Sequence, residues 1–86
     1  MTRRAKLLQK ILSGKSDTDI SFSELVRLLE SLGFRCRTKG SHNIFTISGI
    51  YERINLQAEG AKAKRYQVKQ VRDIFTKFGI GGDENE

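Results

Sequence analysis

Apolar residues recur at helical spacing in three stretches and alternate with polar residues in three shorter runs. In RRAKLLQKILSG (residues 3–14), Leu7, Leu8, Ile11 and Leu12 fall at helical intervals, and Gly14 lies just past the expected end. SFSELVRLLESLGF (21–34) carries a broader face of Phe22, Leu25, Val26, Leu28, Leu29 and Leu32. Ser21 and Glu24 form an S-x-x-E capping box in which each side chain can satisfy a free backbone donor of the first turn. Gly33 supplies a left-handed C-terminal turn and Phe34 its apolar follow-on. YQVKQVRDIFTKFGI (66–80) repeats the logic: Val68, Val71, Ile74, Phe75 and Phe78 line one face before Gly79 and Ile80 close the helix. Its aromatic residues read as packing groups.

Between the second and third helices, FRCRTK, NIFTIS and ERINLQ have strand character, joined by turns at Gly40–Ser41 and Ser48–Gly49. Short turns make neighbouring strands antiparallel. The expected architecture is α+β, in the order α-α-β-β-β-α, with the helices covering one face of a three-stranded sheet. Residues 1–82 read as one domain with an N-terminal helix at about 3–13, and residues 83–86 as an acidic tail.

Period-two alternation divides the strands into two faces. Phe34, Cys36 and Thr38 share one side of the first strand, leaving Arg35, Arg37 and Lys39 on the other. Phe45 and Ile47 mark the inner side of the second, so His42, Ile44 and Thr46 oppose them. Ile54 and Leu56 point inward from the third, and Arg53, Asn55 and Gln57 point out. One sheet face is therefore apolar and the other basic and polar, provided that no bulge breaks the alternation.

Charge sharpens that division. The chain of 86 residues has 16 Lys and Arg against 10 Asp and Glu, a net charge of +6. Three of the acids, Asp83, Glu84 and Glu86, sit in the tail, so the body carries +9. Such a field favours a polyanion, and nucleic acid is the commonest one in cytoplasm. No apolar run approaches the roughly 20 residues that span a bilayer, and no signal-peptide pattern is present, which makes cytoplasm the expected compartment. A single Cys and a single His offer no structural zinc set. Cys36 reads as a small buried strand residue. No phosphate-binding glycine loop occurs.

The one imidazole, His42, lies at the hairpin end of the basic face. RNA cleavage asks little of a protein, because the 2′-hydroxyl is a built-in nucleophile. The enzyme must take its proton, stabilise the charged phosphorane and let the 5′-oxygen leave. An imidazole titrating near pH 6.5 can act as base or acid at neutral pH, and nearby Lys and Arg can supply the electrostatic stabilisation. This chemistry needs no metal. A histidine left at a hairpin turn as an ordinary polar residue fits the same residues.

LLESLGF, followed closely by KGSH and closed by VKQVRDIFTKFGI, resembles the HicA family of bacterial toxins over about residues 20–80. The resemblance implies a fold like that of double-stranded-RNA-binding domains and an mRNA endoribonuclease activity without a cofactor. It makes His42 of the Gly40–Ser41–His42 motif the catalytic residue, with Gly40 permitting the turn and Ser41 contacting phosphate or fitting the turn. It also implies a HicB-type antitoxin partner that covers the histidine face. Asn43 and Ile44 after the motif depart from the common pattern, as does the proline-free segment before the last helix. In that segment Lys62, Lys64 and Arg65 are expected to contact the RNA backbone, as are Arg35, Arg37, Lys39 and Arg53 on the sheet. Two other readings remain open: a non-catalytic RNA-binding module, and a protein-interaction module whose basic face docks an acidic partner.

Overall fold

The computed structural model describes residues 2–80; the acidic tail at 83–86 lies outside the described residues. Three helices, α1 (Arg3–Ser13), α2 (Phe22–Ser31) and α3 (Arg65–Phe78), pack on an antiparallel sheet of β1 (Arg35–Lys39), β2 (His42–Ile47) and β3 (Ile50–Leu56). A small hairpin, β4 (Ala58–Glu59) and β5 (Lys62–Ala63), precedes α3. The α-α-β-β-β-α order is the expected one, and the small hairpin is an addition to it. Each of its strands is two residues long, too short to leave a period in the sequence.

The helix ends follow from local chemistry. Thr2 Oγ1 accepts from Ala5 N at 3.1 Å and starts α1. Ser21 Oγ accepts from Glu24 N at 3.3 Å, which is the serine half of the capping box at α2. At the other end of α2, Gly33 adopts φ +101, and two bonds close the turn: Gly33 N to Glu30 O and Phe34 N to Leu29 O, both 3.0 Å. That pair of bonds is a Schellman motif, and it reverses the chain into β1. In α3 the same pattern appears as Ile80 N to Phe75 O at 2.8 Å and Gly79 N to Thr76 O at 3.4 Å.

The core lies between the helices and one sheet face. Phe45, Ile54 and Leu56 from the sheet meet Leu8 and Ile11 of α1, Leu25 and Leu29 of α2, and Val68, Val71 and Phe75 of α3, all fully buried. Each such side chain stabilises the fold by about 1.5–3 kcal/mol through burial. The last expected member of the α3 face, Phe78, lies instead at the margin and is 37% exposed, with the Lys77 ammonium 5.3 Å from its ring centroid. Leu12 of α1 is exposed to the same degree.

α1 is also tied by a polar contact. Arg72 Nη1 donates to Asp17 Oδ1 at 2.7 Å and to the Ile11 carbonyl at 3.3 Å, with the two charged side chains only 19% and 15% exposed. The guanidinium thus gives the Ile11 carbonyl, in the last turn of α1, a second donor beside the Gly14 N–H at 3.3 Å. The Asp17 hydrogen bond raises the Arg72 pKa further above its ordinary value.

Cys36 departs from expectation: it is exposed. By register it is the neighbour of Phe45, which is completely buried. β1 is an edge strand, and all five of its residues are open to solvent. Alternation gives the side of a sheet on which a residue lies, but not how far the covering layer extends.

Candidate nucleic-acid interface

Two tight turns place the polar face. Gly40 and Ser41 connect β1 to β2, with Lys39 opposite His42 as the closing pair. Gly40 takes φ +60, a conformation that costs a side-chain-bearing residue about 1 kcal/mol or more. Ser48 and Gly49 connect β2 to β3, where Ile47 faces Ile50. The register then brings Arg35 opposite Thr46, Arg37 opposite Ile44, and Ile44 opposite Asn55.

A bulge does interrupt β2–β3 pairing. Between the pairs Ile47–Ile50 and Phe45–Ile54, Thr46 alone faces three residues, Tyr51, Glu52 and Arg53. Two extra residues on one strand preserve its period-two parity, so the bulge bends β3 without moving Arg53 to the other face. Exposure agrees: Tyr51, Arg53 and Asn55 are exposed, whereas Ile54 and Leu56 are buried and Glu52 is half-buried. Glu52 reaches α3 instead, accepting from Lys77 Nζ at 2.6 Å, and the bond lowers its carboxyl pKa.

Arg35, Arg37, Lys39 and Arg53 line one concavity of about 580 Å³ together with Cys36, Ile44 and Thr46. None of these four cations has an acidic partner among the described residues. The register also keeps them from facing one another directly, since the three on β1 stand opposite Thr46, Ile44 and His42. That spacing limits the cost of gathering like charge. The arrangement presents a positive field above a partly apolar floor.

His42 is exposed at the turn end of this face and is not among the residues lining the concavity. Its Nδ1 lies 3.1 Å from Asn55 Oδ1. Asn55 stands directly opposite Ile44, so this contact runs diagonally across the strands. With the amide so oriented, Nδ1 carries the proton and Nε2 keeps its lone pair toward solvent.

A second set of contacts holds the turn. Gln57 Nε2 donates to Ser41 Oγ at 2.9 Å, and Lys64 Nζ donates to Gln57 Oε1 at 3.2 Å. Gln57 N donates to Oε1 of the buried Gln67 at 2.7 Å, anchoring the end of β3 to the first turn of α3. The Gly40–Ser41–His42 turn is thereby connected to Lys64, the N-cap residue of α3. Arg65 begins the helix and is exposed.

Lys62 is placed differently from the other expected contacts. Its ammonium pairs with Asp19, which also accepts from Lys10 at 3.3 Å. These two lysines hold the Asp19 carboxyl below its ordinary value. Lys62 therefore joins β5 to the segment between α1 and α2, whereas Lys64 reaches toward the turn that carries His42.

Alternation puts Asn55 and Gln57 on the outward face but assigns them no role. Their partners depend on the bulge register, which has no signature in the residues themselves. Gln67 is hidden for a similar reason, since a glutamine beside an apolar stripe reads as surface. Among the described residues, no three His, Cys, Asp or Glu side chains gather into a metal-binding group. No family model, curated protein or solved structure matches the chain.

Proposed function

We propose that the protein is an mRNA endoribonuclease of the toxin type, acting through His42 on the basic sheet face. One observation carries the reading: four cations without acidic partners among the described residues share an open face with the only imidazole in the chain. The motif likeness to HicA toxins supports it, and implies a cytoplasmic location and a HicB-type antitoxin that silences the protein by covering this face.

In the proposed reaction, Nε2 of His42 removes the proton from a 2′-hydroxyl, whose oxygen attacks the adjacent phosphorus. Asn55 accepts from Nδ1 and stabilises the imidazolium that results. Lys39, next to His42 across the hairpin, and Arg37 offset the charge of the phosphorane. The bond to the 5′-oxygen breaks, and a solvent proton completes the leaving hydroxyl. The other product end is a 2′,3′-cyclic phosphate. Arg35, Arg53, Lys64 and Arg65 bind flanking phosphates. Gly40 sets the turn, and Ser41 is held by Gln57 so that it fits that turn.

Incubation of the protein with RNA in EDTA tests this route. Cleavage with cyclic-phosphate and 5′-hydroxyl ends is expected, and cleavage that EDTA abolishes contradicts it. The position of His42 outside the concavity favours one other reading, a non-catalytic RNA-binding module. That module would leave RNA intact and bind it in a salt-sensitive manner.

A further inference from the structure

Tyr51 is 99% exposed, the most exposed large apolar side chain among the described residues. A lone surface tyrosine needs no special explanation. This one is distinguished by where it stands. It shares the open side of β3 with Arg53 and Asn55, and so lies on the same face as the concavity and His42. It also lies in the bulged part of β3, where the extra residues bend the strand, a device that commonly re-aims side chains. The ring has no packing role that would account for it.

We propose that Tyr51 is a stacking platform for an unpaired base, which makes single-stranded RNA the substrate class of this face. The inference rests on the RNA reading given above and adds to it the strandedness of the ligand. A positive groove with an aromatic side chain beside it is how proteins hold single strands without reading their sequence. The groove follows the phosphates, and the ring covers the face of a base. In an A-form duplex the base faces are already stacked, and only phosphates, 2′-hydroxyls and groove edges are available. A fully exposed tyrosine ring beside Arg53 therefore gains little from a duplex and much from a splayed base.

Tyr51 also stands apart from the imidazole. It lies four residues from Asn55 along the bulged β3, at most about 13 Å at strand spacing, and Asn55 is the residue that holds His42. Tyr51 acts on binding and register, and the imidazole acts on chemistry.

Binding of a fully 2′-O-methylated RNA tests this, because its blocked 2′-oxygen prevents cleavage. The single strand and a duplex of the same sequence are titrated with the wild type, Tyr51→Ala and Tyr51→Phe. Tyr51→Ala is expected to weaken single-strand binding by about 5- to 150-fold, the usual range for losing one stacked base. Tyr51→Phe keeps the aromatic face and is expected to bind within about twofold of the wild type. Duplex binding should be the same for all three. If the wild type binds the single strand and Tyr51→Ala binds it equally well, stacking is overturned while the RNA reading stands. An equal loss on single strand and duplex also overturns it. A wild type that binds neither RNA overturns the RNA reading and this inference together.

Discussion

His42 depends on one neighbour for its tautomer. Asn55 Oδ1 faces Nδ1 at 3.1 Å, and this leaves Nε2 free to take a proton. Asn55→Ala removes that acceptor and should lower kcat for RNA cleavage about tenfold, the cost of one charge-assisted hydrogen bond. KM should change little. Asn55→Asp still offers an oxygen and should keep Nδ1 protonated. Because the chain has a single histidine, ¹⁵N chemical shifts of the ring report the tautomer without ambiguity. An Nε2-protonated ring in the wild type would contradict the assignment. The basic set around His42 was readable from alternation alone, since Arg35, Arg37, Lys39 and Arg53 do share one face. The identity of its supporting residues was not. Asn55 and Gln57 acquire their partners through a register shift and a contact with α3, both produced by tertiary packing.

At the scale of elements, the turns and caps carry most of the instructions. Gly40 must hold φ +60 for β1 and β2 to close around Lys39 and His42. A Cβ at Gly40 meets no atom within 4 Å, so the cost of Gly40→Ala is one of backbone conformation rather than of clash. That substitution should destabilise the protein by about 1 kcal/mol and lower the thermal midpoint by roughly 4–8 °C. Gly40→Asn should cost less, because asparagine tolerates the left-handed region. Equal losses for the two variants would show that the turn is not strained in this way. Helix ends, turns and the order of elements were legible because each is written in a few adjacent residues. The β4–β5 hairpin was not legible, and neither was the exposure of Cys36, which lies on the edge strand.

Across the whole molecule, charge is arranged in two ways. Lys69 pairs with Asp73 within α3, and the other cations with carboxylate partners join one element to another. Asp17 with Arg72 ties the α1–α2 connection to α3, Asp19 with Lys10 and Lys62 ties it to α1 and β5, and Glu52 with Lys77 ties β3 to α3. No local pattern announces these pairs. On the open sheet face the cations have no such partners among the described residues, and this separation is what suggests a polyanionic ligand. The paired carboxyls also set a pH dependence. Asp19 and Glu52 both titrate below their ordinary values of 3.8 and 4.5 in the folded protein. Their contribution is complete above those values and is lost as pH falls through them toward the lower folded-state values. The thermal midpoint should therefore decline as pH drops below about 4.5, and Asp19→Asn together with Glu52→Gln should flatten part of that decline. An acid decline identical in the double variant would contradict the assignment.

The proposed function makes one central claim, that His42 moves the proton while the cations bind phosphate and offset its charge. Cleavage of a single-stranded RNA by the wild type and by His42→Ala, at matched concentration and in EDTA, tests it most directly. His42 is exposed and outside the core, so the variant should keep the far-ultraviolet circular dichroism and thermal midpoint of the wild type. The account predicts that the folded variant still binds RNA but leaves it intact. A folded His42→Ala protein that cleaves at the wild-type rate would contradict it.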